Sequence, residues 1–296
     1  MAKKRVSLVL GSGGARGLAH IGIIECLEQN GYEIHSIAGS SMGALIGGIY
    51  AAGKLDAYSQ WVRALQQIDV LRLVDFSFRR SGLIKGEKVI ETLQELIGDR
   101  NIEELPISYT AVATNIENQK EVWLNQGSLF SAIRASIAIP TVFTPVQYQG
   151  KTLVDGGLVN PIPIAPTLRD DTDLTIAVNL SAKADPKHSQ AEKQKQRASL
   201  AKNNESYRQK IAQFVDGLQQ KLGRDDDEEE LGIFEVISGS FETMQKLIAR
   251  YQLAAYSPDI VIDIPINSCA FYEFYRAEEM IELGQQQACK TLEHYL

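Results

Sequence analysis

Residues 34–52 read IHSIAGSSMGALIGGIYAA, and the change of character in the middle of this stretch decides the fold. Residues 34–38 form a short β-type run and residues 44–52 a helix-type run, with Gly39-Ser40-Ser41-Met42-Gly43 between them. A Gly-x-Ser-x-Gly at a strand-to-helix switch is the pattern of a nucleophile elbow. The strand delivers Ser41 onto a sharp turn, and Gly39 and Gly43 leave room for that turn against neighbouring backbone. The hydroxyl then stands above the end of a sheet, beside a helix N-terminus that favours developing negative charge.

Upstream, residues 6–10 read as a buried strand that runs directly into Gly11-Ser12-Gly13-Gly14-Ala15-Arg16-Gly17. Leu18, Ile21, Ile24 and Leu27 then recur at helical spacing, and Asn30-Gly31 supplies a stop. The opening is therefore β-turn-α-β-turn-α, the grammar of a mainly parallel α/β sheet with crossover helices. Downstream, the patterns predict helices at 56–67, 88–97, 128–137 and 275–295. Strands are predicted at 107–113, 121–124, 152–154, 174–180 and 259–264.

Residues 181–232 differ from the rest: they are polar and end in an acidic run at 225–230. Tyr207, Ile211, Phe214, Leu218 and Leu222 nevertheless share one helical face, and 183–224 carries ten Lys/Arg against four Asp/Glu. This reads as a charged insertion with one amphipathic helix on a single domain spanning 1–296. That helix is either an interfacial element making peripheral membrane contact through 204–222, a lid, or a helix folded over its own domain.

A chain of 296 residues with 44% hydrophobic and 23% charged residues suits one large α/β domain. The net charge of -7 argues against a general nucleic-acid surface. Three cysteines (Cys26, Cys269, Cys289) lie far apart without paired spacing, so neither a disulfide framework nor a zinc site is expected. A reducing, cytoplasmic location follows, at most peripheral to the inner membrane face. The apolar run after the basic residues 1–5 is too short for a signal peptide, and no stretch reaches the roughly 18 apolar residues of a membrane span.

The glycine turn admits three readings. A phosphate-binding Walker loop needs Gly-Lys-Ser/Thr, and Arg16-Gly17-Leu18 does not supply it. A dinucleotide fingerprint from Gly11 has Arg16 at its last glycine position, and the second strand ends in Gly39-Ser40-Ser41 rather than near an acidic residue. The third reading is an oxyanion hole in which the amides of Gly13 and Gly14 face a tetrahedral intermediate, joined by the amide of Met42. Adjacent strands would set this loop beside Ser41, which favours the third reading. For the base, His188 lies in the insertion, His294 stands near the end, and His20 and His35 offer no triad order. Asp155, after a strand and before Gly156-Gly157, is the better candidate. Arg16 either supports the loop or meets a lipid phosphate.

Together, the glycine turn with Arg16, the Ser41 elbow and Asp155-Gly156-Gly157, in that order and without a histidine, resemble the patatin-like phospholipase family. The chain is most similar to its bacterial members and to the catalytic domain of neuropathy target esterase. Residues 19–22, 135–140, 155–163 and 275–279 match as well, and the resemblance covers about 5–180 and 255–290. It implies a three-layer α/β/α sandwich, a Ser41–Asp155 dyad, and hydrolysis of lipid acyl esters without metal or other cofactor. The family's oxyanion motif falls on residues 12–17, where Ser12 replaces the usual glycine. A regulatory or scaffold protein that keeps the fold and acts by partner binding is the alternative; a nucleotide-binding oxidoreductase is the third. Oligomeric state is not legible.

Overall fold

Strands buried on both faces need apolar side chains on both, and two interior strands of this sheet have them. They are β1 (Lys4–Leu10) and β7 (Leu174–Ala182), in a computed structural model describing residues 4–66, 68–69, 87–140, 142–186 and 233–295. In chain order the remaining elements are α1 (Ala19–Gln29), β2 (Tyr32–Ser40), α2 (Met42–Ala51), α3 (Leu55–Ala64) and α4 (Glu87–Ile97). There follow β3 (Ser108–Asn115), β4 (Lys120–Leu124), α5 (Leu129–Ser136), β5 (Val146–Tyr148) and β6 (Lys151–Asp155). After β7 come α6 (Ile233–Tyr256), β8 (Ile260–Pro265) and α7 (Ala277–Leu292).

The eight strands pair in the order β5-β6-β3-β2-β1-β7-β8, with β4 also on β3. β3, β2, β1, β7 and β8 are parallel, whereas β4, β5 and β6 join antiparallel. Side chains of a strand alternate between faces. Leu8, Leu10, Ile176 and Val178 accordingly enter a large core shared with α1, α2, α3, α5 and α7. Val9 and Ala177 point the other way, into a thinner cluster with Ile162, Ile164 and Ala249 of α6. Helices thus cover both faces of a mainly parallel sheet, the α/β/α sandwich that the motifs imply.

Two sequence expectations change, and others fall outside the described residues. Ser181 and Ala182 belong to β7, so the supposed insertion begins later than residue 181. The expected helix at 204–222, His188, the acidic run and the stretch at 76–82 lie outside the described residues. The cysteines do pair: Cys26 and Cys289 form a disulfide with Cα atoms 6.0 Å apart. Chain spacing could not reveal this, because packing of α1 against α7 brings the two together. Gly22 and Gly284 permit the approach: a Cβ at Gly22 would lie 1.9 Å from the Ile281 carbonyl oxygen, and one at Gly284 2.0 Å from that of Ala19. Reduction, or Cys289→Ala, is expected to lower the thermal midpoint by about 5–10 °C, since the crosslink restrains a long loop in the unfolded chain. Differential scanning calorimetry with and without reductant measures it, and an unchanged midpoint would contradict the assignment. Among the described residues, no helix is long and apolar enough to cross a membrane.

Candidate active site

A strand has two edges. Residues 111–115 of β3 give one edge to β4, so β2, pairing with 108–112, and β6, pairing with 113–115, share the other. β2 runs parallel to β3 and ends with Ser40 opposite Val112; β6 runs antiparallel and arrives with Asp155 opposite Ala113. The C-terminal ends of two strands therefore meet head-on. Gly156 is fitted into the junction, where a Cβ would lie 2.0 Å from the Val112 carbonyl oxygen and 2.7 Å from Ser40 Oγ. Ser41 and Asp155, 114 positions apart in the chain by their numbers, leave this one point.

Ser41 has φ 55° and ψ −122°, a backbone region that non-glycine residues rarely occupy. Such strain costs on the order of 1–3 kcal/mol and persists only where the surroundings enforce it. Here they do. A Cβ at Gly39 would lie 2.4 Å from the Gly43 carbonyl oxygen, and one at Gly43 2.0 Å from that of Leu10. Ser136 Oγ accepts the Ser41 amide at 3.0 Å and donates to the Val112 carbonyl at 2.6 Å, tying the elbow to β3. Ser136 carried no role in the sequence reading.

Asp155 is completely buried. Its backbone is held on both sides, the amide donating to Ala138 O at 2.9 Å and the carbonyl accepting from Thr114 Oγ1 at 2.9 Å. Oδ1 accepts the Gly157 amide at 2.7 Å. Burial pushes the carboxyl pKa up to about 7, while the Ser41 hydroxyl and the Gly157 amide pull it down. Oδ2, also buried, has no hydrogen-bond partner among the described residues. No histidine takes part in any contact of either residue among those described: His20 Nε2 lies 2.9 Å from the Gly11 carbonyl oxygen, and burial lowers its pKa to about 4, which keeps it neutral.

The glycine turn is pinned at both ends. The Ser12 amide donates to Pro161 O at 2.8 Å and the Ala15 amide to Phe271 O at 2.8 Å. The amides of Gly13 and Gly14 between them, like that of Met42, have no acceptor among the described residues. Gly17 packs on the Met42 side chain and Gly11 on the backbone of β7. Arg16 is buried, donates to Ile266 O at 2.9 Å and Cys269 O at 3.4 Å, and pairs with Glu242. Its guanidinium is committed to holding the loop, which removes the lipid-phosphate reading. Sequence reasoning missed α6 altogether. From it Gln245, also buried, donates to Ser12 Oγ at 3.0 Å, and both groups press on Gly157 beside Asp155 Oδ1. The signal was an uninterrupted helical span at 240–256 closed by Ser257-Pro258.

No group of three or more His, Cys, Asp or Glu among the described residues could hold a metal ion. The model of the patatin-like phospholipase family matches residues 8–168, which take in both strand ends and the glycine turn. The chain belongs to the patatin-like phospholipase family. An uncharacterized NTE family protein of Mycobacterium tuberculosis is 38% identical over 98% of this chain and 92% of its own length. A far longer relative, the lysophospholipase NTE1 of Scheffersomyces stipitis, is 30% identical over 62% of this chain and 12% of that protein. The crystal structure of VipD from Legionella pneumophila aligns over 99% of this chain and 67% of that chain, at 14% identity and a TM-score of 0.49.

Proposed function

We propose that this patatin-like protein is a serine acyl hydrolase acting on lipid esters, with Ser41 as nucleophile and Asp155 as base. The observation that carries the reading is the junction on β3, where a strained serine and a buried carboxylate emerge side by side with no imidazole hydrogen-bonded to either among the described residues. A carboxyl near pKa 7 is half ionised at neutral pH, a far better proton acceptor than an exposed aspartate. Membership of a phospholipase family and the lysophospholipase names of its relatives support a lipid hydrolase.

In the reaction, Ser41 Oγ bonds to the ester carbonyl carbon as its proton passes to Asp155. The carbonyl oxygen, now an anion, is received by the amides of Gly13, Gly14 and Met42. Collapse breaks the bond to the leaving alkoxide, which takes the proton from Asp155. Water, its proton taken by the same carboxylate, then attacks the acyl carbon; the bond to Ser41 Oγ breaks, Oγ takes the proton back from Asp155, and the fatty acid leaves.

A fluorophosphonate probe is expected to label the wild type and leave Ser41→Ala unlabelled; labelling that survives the substitution would remove the assignment. A panel of lysophospholipid, phospholipid, acylglycerol and short p-nitrophenyl ester defines the substrate class against the same control.

A further inference from the structure

Helix α6 is amphipathic in an unusual sense. The side it turns to the sheet carries Gln245, Ala249, Gln252 and Leu253, and a second set of large apolar side chains faces outward. Val236, Ile237, Met244, Leu247 and Tyr251 are between 42% and 70% exposed. With Ala254 and Ala255 they fall on one side of a helix turning 100° per residue, interrupted by Ser240. Lys246 and Arg250 are exposed along one flank of this sector. Two more exposed aromatics, Tyr272 and Tyr275, stand on the segment whose Phe271 carbonyl holds the glycine turn. That segment and α6 both pack on residues 11–17.

We propose that the outer face of α6, extended by Tyr272 and Tyr275, is the surface by which the protein sits on an anionic lipid aggregate. Apolar side chains enter the acyl region, tyrosine hydroxyls stay at headgroup depth, and a cationic flank meets anionic headgroups. A second copy of the chain would match the apolar sector but would leave the cations and tyrosine hydroxyls without counterparts. Location adds to this. Ser41 and Asp155 are 1% and 0% exposed, so a long-chain ester gains nothing by crossing water to reach them. The inner side of α6 already touches Ser12 and Gly157, which sets the outer face about one helix diameter, ~10 Å, from the site wall. That the aggregate also presents substrate rests on the hydrolase reading; the surface itself does not.

Co-sedimentation with vesicles of phosphatidylcholine and phosphatidylglycerol tests the surface. The wild type is expected to partition onto them, and Leu247→Asp/Tyr251→Asp to weaken this at least about tenfold, with an unchanged circular dichroism melt. Lys246→Gln/Arg250→Gln is expected to erase the preference for phosphatidylglycerol over pure phosphatidylcholine. Both variants should keep wild-type turnover of a short soluble ester. A wild type that ignores vesicles, as it would if its own residues 187–232 covered this face, overturns the proposal. So does a doubly substituted protein that binds as well as the wild type. A dimer that Leu247→Asp/Tyr251→Asp splits into monomers would make a second copy the occupant. Vesicle binding without turnover of the soluble ester would uphold the surface and sink the hydrolase reading.

Discussion

Asp155→Asn is expected to cut turnover by about 10³–10⁴-fold while making the folded protein more stable at neutral pH. The two effects share a cause. Burial raises the carboxyl pKa from 3.8 to about 7, so the folded chain holds this proton more tightly than the unfolded chain does. The contribution to stability is whole below the unfolded pKa and is lost as pH rises through the folded one. Above about 7 the wild type therefore carries an ionised carboxylate in a site that disfavours it, at a cost on the order of 4 kcal/mol. Asparagine is neutral throughout and removes that dependence. Urea denaturation should find the two proteins nearly equal at about pH 4 and the variant ahead at about pH 8. In the wild type, kcat/KM should climb with pH through about 7 as the base ionises. A variant less stable than the wild type at the higher pH would mean that the carboxylate is compensated in a way this geometry does not contain.

The parts of this site that a sequence displays are those enforced by local chemistry. Ser41 was legible because a non-glycine residue at φ 55° needs Gly39 and Gly43 around it, and that requirement is written within five residues. The glycine turn was legible for the same reason, and the strand patterns gave a parallel α/β sheet. What brings Asp155 to Ser41 was not legible. β6 joins β3 antiparallel and end-to-end with β2, a register fixed by pairing across the sheet rather than by any local pattern. Cys26 and Cys289 were hidden similarly, since their meeting depends on the close approach of α1 and α7. Helix α6 is the instructive omission. Its sheet-facing side mixes Gln245 and Gln252 with Ala249 and Leu253 while several large apolar side chains stay exposed, so the usual rule that apolar residues face inward gives no clear orientation for it. Arg16, which charge alone would send to solvent or to a phosphate, is instead among the largest fully buried side chains and holds the turn from below.

If the junction on β3 is what assembles the dyad, Gly156→Ala should damage it severely. The added methyl would meet the Val112 carbonyl oxygen at 2.0 Å and Ser40 Oγ at 2.7 Å. The Val112 carbonyl is fixed backbone, so relief requires β6 to move away from β3 and β2. That motion breaks ladder hydrogen bonds and separates Asp155 from Ser41. A destabilisation of about 2–4 kcal/mol is expected, with turnover of the remaining folded protein reduced by more than about 100-fold. Gly239→Ala is the matched control, because nothing lies within 4 Å of a Cβ there and the site is inside α6. It should stabilise by about 0.5–1 kcal/mol through helix propensity and leave turnover alone. Denaturation midpoints and soluble-ester kinetics on the two proteins separate a strand junction that positions the carboxylate from a turn that merely tolerates glycine. Wild-type kinetics in a folded Gly156→Ala protein would show that β6 does not need to abut β2 for the chemistry to proceed.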